Sequence, residues 1–220
     1  MKKQLRKLLE HRALDQLADL AGGRRRILGA LVSLTYDSDP LIAWRAVEAM
    51  GVAADRIAAD DPDCVRQHLR RLYWLLSEES GGICWRAPEA MAEIVRRRPR
   101  MFGDYLPIIV TLIEQMADED LVHFRPGILW AIGRLGFLAR DELDTVLSTI
   151  DACLDHADPQ VRGMAVWCLG QCGRGEVLTT REALLSDQCA VDLYQNGELA
   201  RLTVSELTVP CHGGGLPNGR

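Results

Sequence analysis

The chain lacks the features that mark membrane-spanning and secreted proteins. Its longest uncharged apolar runs, such as LPIIVTLI at 106–113, are far too short to cross a bilayer. The first residues, MKKQLRKLLEHRALDQLADLA, carry charges every few positions and have no apolar stretch of the kind found in a signal peptide. The seven cysteines are an odd number without a disulfide framework, which indicates free thiols in a reducing compartment. We therefore expect a cytoplasmic protein without a membrane partner.

Sequence signatures of common enzyme and metal sites are also missing. There is no G-x-S-x-G, no H-E-x-x-H, no P-loop and no dinucleotide-binding fingerprint. Cys168 and Cys172 share a helix face, which Cys153 could approach, but no histidine or second cysteine pair completes a set of metal ligands. The five histidines are dispersed along the chain. We expect no catalytic residue, no metal and no cofactor, and hence no enzyme.

Positive charge is scarce in the second half of the chain. Residues 1–110 carry 18 Lys and Arg against 15 Asp and Glu, whereas residues 111–220 carry 8 against 16. Short basic clusters such as RRR at 24–26 and RRRPR at 96–100 suit solvated helix ends. A nucleic-acid-binding domain is normally basic over a whole face, so a nucleic-acid partner is not expected.

A ten-residue motif recurs four times. IAWRAVEAMG at 42–51 and ICWRAPEAMA at 83–92 share seven of ten letters and lie 41 residues apart. FRPGILWAIG at 124–133 and VRGMAVWCLG at 161–170 continue the series, with arginine, tryptophan and glycine in related places. A helical period near 40 is typical of HEAT and armadillo repeats and exceeds that of ankyrin or tetratricopeptide repeats.

A further amphipathic segment precedes each copy of the motif. These segments are RRILGALVSLTY at 25–36, DCVRQHLRRLYWLLSEE at 63–79, YLPIIVTLIEQMAD at 105–118 and ELDTVLSTIDACLDH at 142–156. Asp-Pro pairs at 39–40, 61–62 and 158–159 predict helix starts, because aspartate caps free N–H groups and proline is tolerated in the first turn. Each repeat is thus a helix A followed by a helix B, and the pairs must stack to bury their apolar faces.

The fourth copy of the motif resembles a known repeat. DPQVRGMAVWCLGQCG at 158–173 is similar to the HEAT-like repeat of phycobilisome lyases and bacterial relatives, whose pattern is Asp-Pro, an apolar-Arg pair, then Ala, Leu and Gly. The resemblance covers roughly 25–175, although Arg45 and Arg86 stand two places beyond the family's arginine. It implies an all-α HEAT/armadillo superhelix of four to five helix pairs, a fold that serves scaffolds, lyases and nucleic-acid enzymes alike.

The chain outside the repeats divides into end segments. We predict an N-terminal capping helix at 1–24, a repeat array at 25–189, a β-hairpin with a short helix at 190–209, and a disordered tail at 210–220. Asn196-Gly197 is a strong hairpin-turn signal, and it pairs Val191 with Leu202 and Asp192 with Arg201. Thr203 and Glu206 predict a capping box. We expect this hairpin to cover the end of the last repeat.

The motif contains four of the five tryptophans. Positions 3 and 7 lie one helical turn apart on a common face, and six of these eight places in the four copies hold tryptophan or glutamate. These residues are Trp44, Glu48, Trp85, Glu89, Trp130 and Trp167. Since B helices of such solenoids line the concave side, the six residues predict an aromatic groove. The alternative is that the superhelix buries the indoles, because tryptophan is largely buried on average. Trp74, in LYWLL, is expected in the core.

We therefore predict a non-enzymatic scaffold or adaptor that binds a protein or peptide segment in the groove formed by those six residues. The resemblance also allows two alternatives. One is a lyase or chaperone for a tetrapyrrole-bearing protein, with an open-chain pigment in the aromatic groove. The other is a DNA glycosylase, by similarity to HEAT-like alkylpurine DNA glycosylases, which use tryptophan and acidic residues in a concave cleft.

Overall fold

The computed structural model describes residues 1–76, 84–116 and 123–208. Within these ranges it is an all-α solenoid of the HEAT/armadillo type with a small two-stranded sheet near its C-terminal end, as the sequence predicts. The tail at 210–220, predicted to be disordered, lies outside the described residues. The helices are α1 (Lys2–Glu10), α2 (Leu14–Ala21), α3 (Arg26–Leu34), α4 (Pro40–Ala58), α5 (Pro62–Trp74), α6 (Ala87–Arg97), α7 (Pro99–Phe102), α8 (Leu106–Gln115), α9 (Arg125–Leu135), α10 (Leu147–Cys153), α11 (Pro159–Gln171), α12 (Glu182–Leu185) and α13 (Val204–Leu207).

The helices of the array pair as the repeat predicts. Helices α3, α5, α8 and α10 are the A helices, and α4, α6, α9 and α11 are the B helices that contain the motif. The three Asp-Pro starts are confirmed: Asp39, Asp61 and Asp158 each accept a hydrogen bond from a backbone N–H of the first turn. Because Pro88 stands in the first turn of α6, this helix begins only after Arg86.

Successive B helices pack directly on one another, α4 on α6, α6 on α9 and α9 on α11. Two motif glycines allow this close approach. A β-carbon at Gly133 would lie 2.6 Å from the Trp167 ring and 3.0 Å from the α-carbon of Cys168. A β-carbon at Gly51 would lie 2.7 Å from the carbonyl oxygen of Glu93. Gly51 and Gly133, at position 10 of the first and third copies, therefore allow the next B helix to approach closely.

Two helices, rather than the single one predicted over 1–24, form the N-terminal segment. The chain turns between α1 and α2 at Arg12, which has a φ of 48°. Both helices contact α4, and α1 also contacts α3. Leu5, Leu9 and Leu17 are fully buried there, so the N-terminal segment adds apolar surface to the first repeat.

The predicted hairpin forms with the predicted register. Strands β1 (Ala190–Gln195) and β2 (Glu198–Thr203) pair Val191 with Leu202 and Asp192 with Arg201, and the capping box of α13 is present. The hairpin packs on α11, where Val191 lies against Gly163. Its turn, however, continues to α4 and the α1–α2 junction, where Gly197 lies against the Arg12 side chain. The hairpin therefore crosses the repeats as well as covering the last one.

Two further observations concern surface character. Trp74 is 59% exposed, so its predicted place in the core is wrong; it is the last residue of α5. Across the described ranges, no helix combines the length and the apolarity needed to cross a membrane.

Candidate binding cleft

The prediction that the motif tryptophans are exposed in a groove is wrong for Trp130 and Trp167, for which the alternative, burial by the fold, is observed. Their side chains are 1% and 3% exposed, and their rings stack with centroids 6.3 Å apart. Trp167 fills the space left by Gly133, while Trp130 Nε1 donates a hydrogen bond to the carbonyl oxygen of Tyr194 at 2.9 Å. These two indoles are core residues because the neighbouring helix and the hairpin cover them.

Glu48 is also withdrawn from the predicted groove, because it binds the hairpin. Tyr194 Oη donates to Glu48 Oε2 at 2.7 Å, and Arg12 donates to the two carboxylate oxygens at 2.6 and 3.1 Å. Burial alone would raise the pKa of Glu48, but the hydrogen bonds from Arg12 and Tyr194 outweigh burial and lower its pKa. The carboxylate is therefore charged at neutral pH and fully engaged within the fold.

Arg45, at position 4 of the motif, connects the hairpin turn to the N-terminal helices. Its buried side chain donates to the carbonyl oxygen of Gly197 at 2.9 Å and pairs with Glu198 at 2.9 Å. It also donates to the carbonyl oxygens of Leu9 at 3.0 Å and Glu10 at 2.8 Å. One arginine of α4 thus satisfies acceptors from both ends of the chain.

An open cleft of about 700 Å³ remains between the B helices and the hairpin. Trp44 and Trp85 lie on its walls, Trp130 contributes at the back, and Leu199 contributes from the hairpin. Trp85 is 48% exposed and stacks on Phe124 with ring centroids 4.9 Å apart. Trp44 is half-buried. The structure therefore brings three of the four predicted indoles to one cleft, and only two of these offer surface to a partner.

Glu89 lines this cleft with an incompletely paired carboxylate. The residue is 2% exposed, and its Oε1 accepts a long hydrogen bond of 3.3 Å from Arg86 Nη1. Its buried Oε2 has no hydrogen-bond partner among the described residues. Burial raises the pKa of Glu89, and the nearby Arg86 charge only partly opposes this. The facing residue is Gly127, where a β-carbon would lie 2.5 Å from Oε1.

Arg86 occupies the space between Trp44 and Glu89. Its guanidinium carbon lies 4.0 Å from the centre of the Trp44 ring, a distance typical of a cation–π contact. Arg86 precedes the first helical residue of α6, and its side chain is 25% exposed. The cleft therefore already contains one cation, seated on an indole and beside a carboxylate.

Sequence reasoning missed Arg86, Arg45, Tyr194 and Gly127. The two arginines were recognised only as departures from the family pattern, although both follow a tryptophan in a repeated Trp-Arg pair. The pairing itself does not reveal their contacts, because Arg86 lies on Trp44 of the preceding repeat and Arg45 binds the hairpin turn and the end of α1. Tyr194 and Gly127 carry no local signal, because their roles depend on partners far away in the chain.

Six of the seven cysteines lie within the described residues. The six cysteines within the described ranges are unpaired thiols, and Cys211 lies outside those ranges. A hydrogen bond with Cys172, together with burial, raises the pKa of the Cys168 thiol. Among the described residues, no group of three or more His, Cys, Asp or Glu side chains could hold a metal ion.

Two known proteins show a distant similarity to this chain. No protein-family model matches it. An uncharacterized protein of Archaeoglobus fulgidus is 26% identical over 180 residues, which cover 81% of this chain and 92% of that protein. A solved structure of the designed armadillo repeat protein YIII(Dq)4CqI is 20% identical with a TM-score of 0.44, over 94% of this chain and 97% of that one. The fold class therefore rests on the helix pairs of the structure itself.

Proposed function

We propose that the protein is a non-enzymatic, cytoplasmic adaptor that binds a segment of a protein partner in the cleft between the B helices and the hairpin. Stacked helical repeats present elongated surfaces of this kind to partners. The proposed contact residues are Trp44, Trp85 and Glu89, with Trp130 supporting them from behind. Trp167 and Glu48 act in the core instead.

One observation carries the proposal: Trp85 exposes about half of its surface at the edge of a concave cleft that is lined by further indoles. Large aromatic side chains beside a pocket are frequent energetic centres of protein interfaces. The cleft is also mixed in character, with apolar walls and a few polar groups, as ligand sites generally are. A partner side chain inserted there would contact residues from consecutive repeats.

The test is affinity capture from an extract of the native cell with matched tryptophan variants. Trp85→Ala removes the exposed indole of the cleft, whereas Trp74→Ala removes an equally exposed indole outside it. We expect Trp85→Ala to lose a partner that the unchanged protein and Trp74→Ala both retain. Equal loss or equal retention by both variants contradicts the proposal, provided that both melt within a few degrees of the unchanged protein.

A DNA glycosylase acting on alkylated bases is the second candidate, supported by the shared cleft of Trp44, Trp85 and Glu89. It predicts binding to alkylated DNA at low salt and release of the base, with loss of release in Glu89→Gln. The lyase or chaperone alternative predicts a visible absorption band in the protein purified from its native cell.

A further inference from the structure

We propose that the cleft recognises a cationic side chain of the partner, an arginine or a lysine, which replaces Arg86 on Trp44 and beside Glu89. This inference rests on the proposed function, since it assumes that a protein segment enters the cleft. It specifies the charge of the partner side chain that the cleft binds, and it names Arg86 as the group that this side chain displaces.

The indole wall of the cleft already binds a cation. The Arg86 guanidinium lies 4.0 Å above the Trp44 ring, so the ring face is available to a positive charge and has the right surroundings for one. Arg86 is the residue immediately before the first helical residue of α6. Rotation of its side chain away from the ring leaves the backbone hydrogen bonds of α6 intact.

The carboxylate of the cleft has unused capacity for a donor. Glu93, one turn further along α6, shows what full pairing looks like: its oxygens accept hydrogen bonds from Arg134 at 2.5 Å and from Arg96 at 3.3 Å. Glu89 has only the 3.3 Å contact with Arg86, and its Oε2 lacks a partner among the described residues. Buried carboxylate oxygens normally have partners, and a charged donor is the strongest available.

The remaining charges of the cleft favour a cation over an anion. Asp192 of the hairpin lines it together with Glu89, and Arg201 is a distant partner for Asp192 at 3.9 Å. His123 lies at the Trp85 edge with ring centroids 6.4 Å apart. Once Arg86 moves out, the two carboxylates are left facing aromatic walls, a combination that attracts positive charge and repels carboxylate or phosphate.

Arg86 acts in this scheme as an internal competitor. It lies on the Trp44 ring and contacts Glu89 Oε1, so an incoming cation that takes both places must displace the guanidinium first. Removing the competitor without removing the ring or the carboxylate should therefore strengthen binding. A purely structural role for Arg86 predicts the opposite, since its loss would then loosen the cleft.

The experiment titrates small probes while the indole N–H resonances of the isotope-labelled full chain are followed. The probes are the blocked amino acids Nα-acetyl-arginine methylamide and Nα-acetyl-lysine methylamide, with the neutral citrulline and norleucine equivalents as controls. The variants are Glu89→Gln, Arg86→Met and, as a matched control outside the cleft, Trp74→Ala. An unperturbed amide spectrum establishes that each variant is folded.

We expect the cationic probes to bind about tenfold more tightly than the neutral ones, the effect of one charge-assisted hydrogen bond. Glu89→Gln should abolish this preference, Arg86→Met should raise the affinity for the cationic probes, and Trp74→Ala should change neither. Binding of arginine alone or of lysine alone supports the inference and identifies the cation.

Equal binding of charged and neutral probes, no binding, or weaker binding in Arg86→Met overturns the inference. So does a preference for an oligonucleotide with a methylated purine over both amino acids. The proposed function is judged separately by the Trp85→Ala capture experiment. A partner that depends on Trp85 but binds Glu89→Gln undiminished would leave the adaptor function standing and reject its cation selectivity.

Discussion

Glu48 and Glu89 hold the same position in two copies of the motif, one turn after a tryptophan, yet the fold treats their charges differently. Both side chains are buried. Hydrogen bonds from Arg12 and Tyr194 lower the pKa of Glu48 against the effect of burial, whereas burial dominates at Glu89 and raises its pKa. The local sequence is nearly the same, so the difference comes from residues that each carboxylate meets in the folded chain.

Neutral amides at these two positions should therefore have unequal consequences for stability. At neutral pH we expect Glu48→Gln to lower the free energy of unfolding by about 2 kcal/mol, the value of a hydrogen bond to a charged group. Glu89→Gln should be nearly neutral, because it removes a buried charge with one weak partner. Urea unfolding followed by tryptophan fluorescence measures both values, and a larger loss in Glu89→Gln contradicts the assignment.

The pH dependence of the same variants has a defined sign. The stability supplied by Glu48 is fully present above the ordinary carboxyl pKa and is lost as the pH falls through its lowered folded pKa. The gap between the unchanged protein and Glu48→Gln should narrow over that interval. Glu89 binds its proton more tightly in the folded state, because its folded pKa is raised. The unchanged protein should therefore gain stability relative to Glu89→Gln as the pH falls from this raised pKa towards the ordinary carboxyl pKa.

The different burial of Trp130 and Trp85 predicts different stability costs for removing their indoles. Trp130 is fully buried and hydrogen-bonded to the hairpin, so Trp130→Ala should destabilise the protein by about 3–5 kcal/mol. Trp85 is half exposed, and Trp85→Ala should cost about 1 kcal/mol through its stacking on Phe124. Thermal unfolding of the two variants measures both losses of stability. A Trp130→Ala protein that melts close to the unchanged chain would show that its indole is not a core residue.

At the scale of helices, position 10 of the motif offers a matched pair of glycines. A β-carbon at Gly133 would collide with the Trp167 ring at 2.6 Å, whereas a β-carbon at Gly170 would meet nothing within 4 Å. Gly133→Ala should therefore cost about 1–3 kcal/mol by overpacking. Gly170→Ala should stabilise α11 by up to about 1 kcal/mol, since alanine is the better helix former. Equal effects in denaturant unfolding would contradict the close approach of α9 and α11.

Local signals were sufficient for the elements and insufficient for their contacts. The helix starts at the Asp-Pro pairs and the hairpin register at Asn196-Gly197 follow from capping and turn chemistry within a few residues. The burial of Trp130 does not follow from local sequence, because its partner Tyr194 lies 64 residues further along the chain. Trp44 and Trp85 line one cleft, whereas Trp167 and Glu48 are buried away from it, and partner binding in the cleft stays a prediction.

At the scale of the whole molecule, the hairpin gives the solenoid a contact that simple repeat arrays lack. Repeats normally touch only their nearest neighbours, so their stabilities add along the chain. Here the turn of a hairpin based on the last repeat reaches the first B helix and the junction of the two N-terminal helices. Both ends should therefore unfold together rather than fray separately.

Arg45 allows this coupling to be measured, because it donates hydrogen bonds to the hairpin turn and to the last residues of α1. In Arg45→Met the apolar stem remains while these bonds are lost, at a cost of about 2 kcal/mol or more. Amide hydrogen exchange should then accelerate roughly thirtyfold in the hairpin and in α1 alike. Arg56→Met removes an exposed ion pair with Asp60 and should change exchange in neither segment. Faster exchange confined to the hairpin would show that the two ends are stabilised independently, and that the hairpin belongs only to the last repeat.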